Sequence, residues 1–185
     1  MVVIKNTGGI GNQMFIYALY HHLYLKGYEC KMDMNTFVQK LNHEETKLAD
    51  IFPKVNFQLA SNEEISFFSD NNMHLLSRVR RKFFGLKKTH IKNHELKYIN
   101  LKLDNYSNYY LDGYWQSEKY FKESEQNIRN VFSFPPFVSE DNCGLKKRIL
   151  ESNSISIHIR KGIDYHSSSF SNVCGYKYYQ EAIRL

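Results

Sequence analysis

Two short segments of this 185-residue chain hold residue types at spacings from which chemistry could be built. The first is Gly8-Gly9-Ile10-Gly11-Asn12-Gln13. Glycines let backbone approach a ligand closely, and the N–H groups of such a loop, leading into a helix N-terminus, suit an anion. Asn12 and Gln13 add amide donors and acceptors. Asp33 follows about twenty residues on, where a dinucleotide-binding fold places its ribose-binding acid. Met14 occupies the third glycine position of that fingerprint. A dinucleotide site and a tight, ligand-free turn therefore both stand beside the anion-site reading.

The second segment is His158-Ile159-Arg160-Lys161-Gly162-Ile163-Asp164-Tyr165. His158 and Arg160 lie two apart, so on a strand they share a face. Arg160 offers a planar fork suited to a phosphate, and Lys161 adds a second charge. The competing reading is an Arg160–Asp164 ion pair that pins a loop, with His158 a hydrogen-bonded core residue. No Asp-x-Asp pair occurs in the sequence. With no such anchor no metal is expected, and were a diphosphate to depart here, Arg160, Lys161 and backbone dipoles would be left to neutralise it.

The elements that must position these loops read as α/β. Val2-Val3-Ile4-Lys5 predicts a buried strand. Asn12 is expected to cap a helix reaching Lys26, with Gly27 as its stop. Cys30 to Met34 predicts a second strand, giving a βαβ unit and a parallel sheet. Residues 36–96 are weakly patterned and read as short elements and loops. Strands are expected over 97–103 and 109–114, then a helix from Ser117 to about Val131 with Tyr120, Phe121, Ser124, Ile128 and Val131 inward. Pro135-Pro136 closes that unit, and a charged helix containing Leu145, Ile149 and Leu150 follows. The alternation Ser154 to Ile159 predicts a strand, and a helical pattern begins at Tyr178. The chain stops inside that pattern, which reads as a piece of a longer protein.

Composition narrows the classes. Apolar residues make up 42% and aromatics 15% of the chain, enough for a core and for rings facing sugars or other flat ligands. The net charge of +6 favours anionic partners, and its densest run lies between Arg78 and Lys88. A solvated face is the plain alternative for that run. Cys30, Cys143 and Cys174 have no metal-ligand or disulfide spacing. The short apolar start does not make a signal peptide, and Asn105-Tyr106-Ser107 is taken as a chance match to a glycosylation acceptor. A basic nucleic-acid-binding module is disfavoured because aromatics do not interleave with Lys and Arg on one strand face.

Taken together, the motifs resemble the bacterial-type α-1,2-fucosyltransferases of glycosyltransferase family 11. Gly8 to Phe15 with Tyr17-Ala18 is similar to that family's opening signature, and Asp112-Gly113-Tyr114-Trp115-Gln116-Ser117-Glu118-Lys119-Tyr120-Phe121 to its central block. Ser156 to Gly162 with Asp164-Tyr165 resembles its His-x-Arg-Arg-Gly-Asp-Tyr motif. Lys161 stands in place of the second arginine there, and Ile163 is an extra residue. Tyr178-Tyr179 with Ala182-Ile183 fits the helix that follows.

The resemblance implies a GT-B-like architecture of two Rossmann-type domains. Residues 1–152 would form the acceptor-side domain and 153–185 the beginning of the GDP-fucose domain. It implies inverting transfer of L-fucose from GDP-fucose to the 2-hydroxyl of a galactoside, in surface polysaccharide or glycan synthesis. Arg160 would stabilise the β-phosphate, His158 orient the loop or touch the donor, and Asp164 or Asp33 take the acceptor proton. Gly9, Gly11, Asn12, Gln13 and Lys161 would bind substrate. The expected location is cytoplasmic, with peripheral contact to the inner membrane as a further partner and none with nucleic acid.

Overall fold

A computed structural model describes residues 1–35, 48–70, 75–95, 97–104, 107–159 and 174–184. Its contacts divide the chain into two compact units, Met1–Pro136 and Phe137–Leu185. The boundary falls just after the double proline Pro135-Pro136.

The first unit is built on a parallel sheet of β1 (Val2–Lys5), β2 (Cys30–Asp33), β3 (His90–Asn93) and β4 (Tyr109–Gly113), in the order β2-β1-β4-β3. Val2 lies level with Cys30 on one side and Tyr109 on the other. Parallel pairing sends alternate side chains to opposite faces, and both are covered. Val2, Ile4, Met32 and Leu111 join Ile16, Leu19 and Leu23 of α1 (Ile10–Leu25) in the main core. Val3 and Tyr110 meet Phe68 of α3 (Asn62–Phe68) on the other side. Between them in sequence lies α2 (Leu48–Ile51), and α4 (Leu75–Phe84) precedes β3.

Helix α1 ends as its sequence predicts. Gly27 takes φ +87°, its N–H donates to the Tyr24 carbonyl (3.0 Å), and the Tyr28 N–H reaches back to Leu23 (3.1 Å). This pair of bonds is a Schellman closure, which favours glycine at that position. The start of α1 differs from expectation. Gly9 is the N-cap, and no side chain caps it. Asn12 already lies in the first turn, which frees its amide for another partner.

Two further differences have physical causes. Residues 97–103 form no strand; the segment is held by side chains, with Tyr120 Oη accepting from the Ile99 N–H (2.9 Å) and Tyr28 Oη donating to the Leu103 carbonyl (3.0 Å). The edge strand is β3 instead. Its inward residues are His90 and Asn93, buried by hydrogen bonding and not by apolarity: the His90 Nδ1 accepts from the Asp70 N–H (2.8 Å), and the Asn93 amide donates to Tyr120 Oη (3.0 Å). After β4, Ser117 caps a 3-10 turn (Glu118–Tyr120), a second turn follows (Lys122–Ser124), and α5 (Glu125–Val131) completes the unit.

In the second unit, α6 (Glu140–Leu150) and α7 (Tyr176–Arg184) bury none of their described residues. Ser154 to Ile159 forms no strand, and its isoleucines are exposed. A strand needs a ladder partner for its backbone groups, and none of the described residues supplies one.

Candidate functional site

All four strands run the same way, so the residues that end them meet on one edge of the sheet. Those ends are polar: Lys5-Asn6, Asp33, Asn93-His94 and Asp112. The centre of the edge is Asp112, buried at the end of β4. Lys5 Nζ lies 3.2 Å from one of its oxygens, His94 Nε2 lies 3.4 Å from the same oxygen, and His90 Nε2 lies 3.7 Å from the other. Burial alone would raise the Asp112 carboxyl. Its charged and hydrogen-bonding neighbours outweigh that and hold it well below the usual carboxylate range. The His90 ring is too distant for a good hydrogen bond, so the closer Lys5 ammonium is the main stabilising partner.

His94 differs from His90 in exposure. The His90 side chain is sealed, whereas that of His94 is 48% exposed, beside the buried carboxylate. A histidine half in solvent with a fixed carboxylate behind it is the arrangement of a base and its orienting partner.

The glycine loop adjoins this cluster. Gly8 takes φ +79°, and a Cβ there would sit 2.3 Å from the Asn12 amide nitrogen. Gly8 is thus fixed twice, by backbone conformation and by the side chain of Asn12. Gly9 and Gly11 have open space where a Cβ would project, so their backbone is approachable. Gln13 is buried, and its amide lies 3.4 Å from the Gly8 carbonyl; it shapes the loop from behind. The Asn12 amide oxygen accepts from Gln116 Nε2 of the loop after β4. That loop carries its own strain. Trp115 is buried at φ 53°, and nothing among the described residues accepts from its indole N–H. Gly113 lets the β3 backbone come close, since a Cβ would lie 2.3 Å from the Asn93 carbonyl oxygen.

Beside α1 runs an apolar cleft of about 300 Å³, walled by Gly11, Met14, Phe15 and Ala18 on one side and Phe121, Ile128 and Phe132 on the other. The opening signature and the central block therefore share a hydrogen bond and a cleft, and Lys5, just before the signature, pairs with Asp112 of the block.

Other expected site residues fare differently. Asp33 is buried, accepts from the Tyr110 hydroxyl, and accepts the Asn35 N–H (2.9 Å). Each oxygen takes one hydrogen bond, and burial keeps the carboxylate away from solvent. His158 is exposed, and its carbonyl lies 3.5 Å from Tyr179 Oη. Arg160, Lys161 and Asp164 lie outside the described residues, and so does any cleft they would share with the Gly8 loop. Lys5, His94 and His90 were missed by motif reading. Their available signal was positional, a polar residue ending or following each parallel strand. Cys30 is no candidate nucleophile, since burial pushes its thiol up to about 12. No group of metal-binding side chains occurs among the described residues, and no described helix is long and apolar enough to cross a membrane.

A parallel sheet covered by helices on both faces, with polar groups gathered at its carboxyl edge, is a Rossmann-like α/β domain, a class that takes ligands on that edge. Sequence comparison makes the class particular: the profile of glycosyl transferase family 11 matches residues 1–185, and the chain belongs to that family. It is 28% identical over 189 residues to an alpha-1,2-colitosyltransferase of Escherichia coli, covering 100% of this chain and 63% of that protein. It is 31% identical over 204 residues to the O-antigen biosynthesis glycosyltransferase WbnK of Escherichia coli, covering 96% of this chain and 65% of the relative. The chain thus spans less than two thirds of the length of these relatives. No solved structure matches it.

Proposed function

We propose that this chain supplies the acceptor-side domain, and part of the donor side, of an inverting transferase. The enzyme moves L-fucose, or a deoxy relative of it, from a GDP-activated donor to the 2-hydroxyl of a galactoside in surface polysaccharide synthesis. The observation that carries the reading is the convergence of two family blocks, through the Asn12–Gln116 hydrogen bond and the cleft shared by Met14, Phe15 and Phe121. The colitosyltransferase relative bears on the donor, because colitose is L-fucose without its 3-hydroxyl. A dinucleotide-dependent enzyme is disfavoured by Met14 in the third glycine position and by the burial of Asp33.

The chemistry is a single displacement with inversion. As the glycosidic bond breaks, positive charge grows on the sugar and negative charge on GDP. Arg160 and Lys161 are assigned to the diphosphate, with Gly9, Gly11 and Asn12 offering backbone and amide contacts and His158 ordering the loop. Gln13 holds the loop's shape. His94, backed by Asp112, takes the proton of the attacking hydroxyl; Asp164 remains the alternative base. The apolar wall of Met14, Phe15 and Phe121 suits the apolar face of a sugar ring. Charge neutralisation by Arg160 and Lys161 needs no metal.

The test, run on the full-length enzyme that contains this chain, pairs binding with turnover. GDP and GDP-L-fucose should raise the melting temperature and NAD should not. Incubation with GDP-L-fucose and a β-galactoside should give an α-1,2-linked product by NMR, undiminished in EDTA, with GDP-colitose as the comparison donor. Arg160→Ala should lower turnover about a hundredfold or more, the worth of one preorganised donor to a developing oxyanion. Stabilisation by NAD alone, or a manganese requirement, would remove this account.

A further inference from the structure

We propose that α4 and the end of α3 form a docking face for an anionic phospholipid surface. The argument begins with charge. Between Phe67 and Lys88 the sequence holds six Lys or Arg residues against a single acid, Asp70. That acid is buried and consumed locally. Arg80 bonds its carboxylate, Arg81 lies 3.8 Å from it, and the Lys87 N–H donates to it (2.8 Å). The Lys87 ammonium donates to the Phe67 carbonyl (2.8 Å). These contacts lock α4 and the following turn against the end of α3.

What the lock leaves over faces solvent. Arg78 and Lys82 are exposed, one helical turn apart on one side of α4, and no ion pair among the described residues uses either. Val79 and Phe83 form the next stripe, 46% and 75% exposed. Phe84 is 81% exposed, and Phe67, at the end the lock holds, is 72% exposed. A cationic stripe running beside an apolar one is the composition of a helix that lies in a bilayer interface, with rings among the acyl chains and cations at the phosphates. The charge selects the occupant, since an apolar protein partner would leave these cations unpaired at its edge. Single-stranded nucleic acid, the other anionic class, would be read by stacked rings, and aliphatic Val79 in the stripe adds nothing to stacking. The face is independent of the donor and acceptor assignments above.

Co-sedimentation of the chain with vesicles tests it. Vesicles of equal parts phosphatidylglycerol and phosphatidylcholine should bind the chain, pure phosphatidylcholine should bind it weakly, and about 1 M salt should release most of it. The double variant Phe83→Ser/Phe84→Ser should lower partitioning about tenfold or more, and Arg78→Glu/Lys82→Glu should do likewise, because both apolar insertion and charge contribute. All four side chains are exposed, so circular dichroism should report unchanged folding. Equal binding to both vesicle types, unaltered binding by either variant, or displacement from vesicles by an oligothymidylate would each overturn the proposal.

Discussion

Asp112 shows how one residue joins stability to function at this edge. It is the shared partner of Lys5 and His94, from different strand ends, and its carboxylate sits out of water. Asp112→Asn keeps the shape and removes the charge, leaving Lys5 without its partner. A loss of about 3 kcal/mol in urea unfolding is expected, the scale for breaking a largely buried ion pair. The sign of its pH dependence follows from its depressed folded value. The carboxyl releases its proton more readily folded than unfolded, so its contribution is fully present above about pH 4 and fades as pH falls toward the folded value. Asp112→Asn should therefore flatten the acid limb of the stability profile; a variant that keeps the wild-type limb would place the titrating group elsewhere. His94→Gln separates the two roles. The ring is half in solvent, so the melting temperature should hardly move, while turnover should fall about a hundredfold or more if it is the base. Rates that stay at wild-type level would return that role to Asp164.

Elements were legible where apolar residues recur with a period, and less so where polar residues do the packing. The run Val2 to Ile4, the span of α1 and the stop at Gly27 are apolar or conformational signals, and each appears where expected. β3 was missed because its inward residues are His90 and Asn93, whose burial depends on Asp70 and Tyr120, remote in sequence. Residues 97–103 mimic a strand by alternation, yet Tyr28 and Tyr120 claim their backbone groups. The same limit applies to the site. The glycine loop and the central block announce themselves as motifs, but Lys5 and His94 acquire meaning only when the parallel register brings strand ends together. Gly113→Ala tests the tightest of these junctions. Its Cβ would meet the Asn93 carbonyl oxygen, a backbone atom that moves only if β3 parts from β4. A cost of about 3 kcal/mol is expected, at the upper end for overpacking. Gly27→Ala is the contrast: nothing lies near its added carbon, so only the left-handed backbone resists, costing about 1 kcal/mol. Thermal denaturation of the two variants side by side should rank them in that order, and equal losses would refute the steric account.

For the molecule as a whole, burial is distributed unequally between the two units, and stability should follow it. In the first unit, Val2, Val3, Ile4, Ile16 and Leu111 are sealed, and the ladder hydrogen bonds of β1 and β4 lie beneath α1 on one face and α3 on the other. In the second, neither α6 nor α7 buries a described residue, and Leu145, Leu150 and Ile155 keep about half or more of their surface in water. Fixing a backbone residue costs about 1–2 kcal/mol, which apolar burial must offset, and a helix of ten or so residues is marginal in water on its own. The two units are therefore expected to open separately. Native-state hydrogen exchange should find the amides of β1 and β4 protected to near the global unfolding free energy. Those of α6 should exchange within about tenfold of their unprotected rates, since local opening there exposes almost nothing new. Exchange also distinguishes this from simple helix fraying, because fraying protects the middle of α6 more than its ends, whereas opening of the whole element gives uniform rates. Protection of α6 equal to that of β1 would show the two units to be one cooperative body. Uniform, fast exchange across α6 would mean that its i,i+4 ion pair, Lys147–Glu151, holds the helix too weakly to stand without a covering surface.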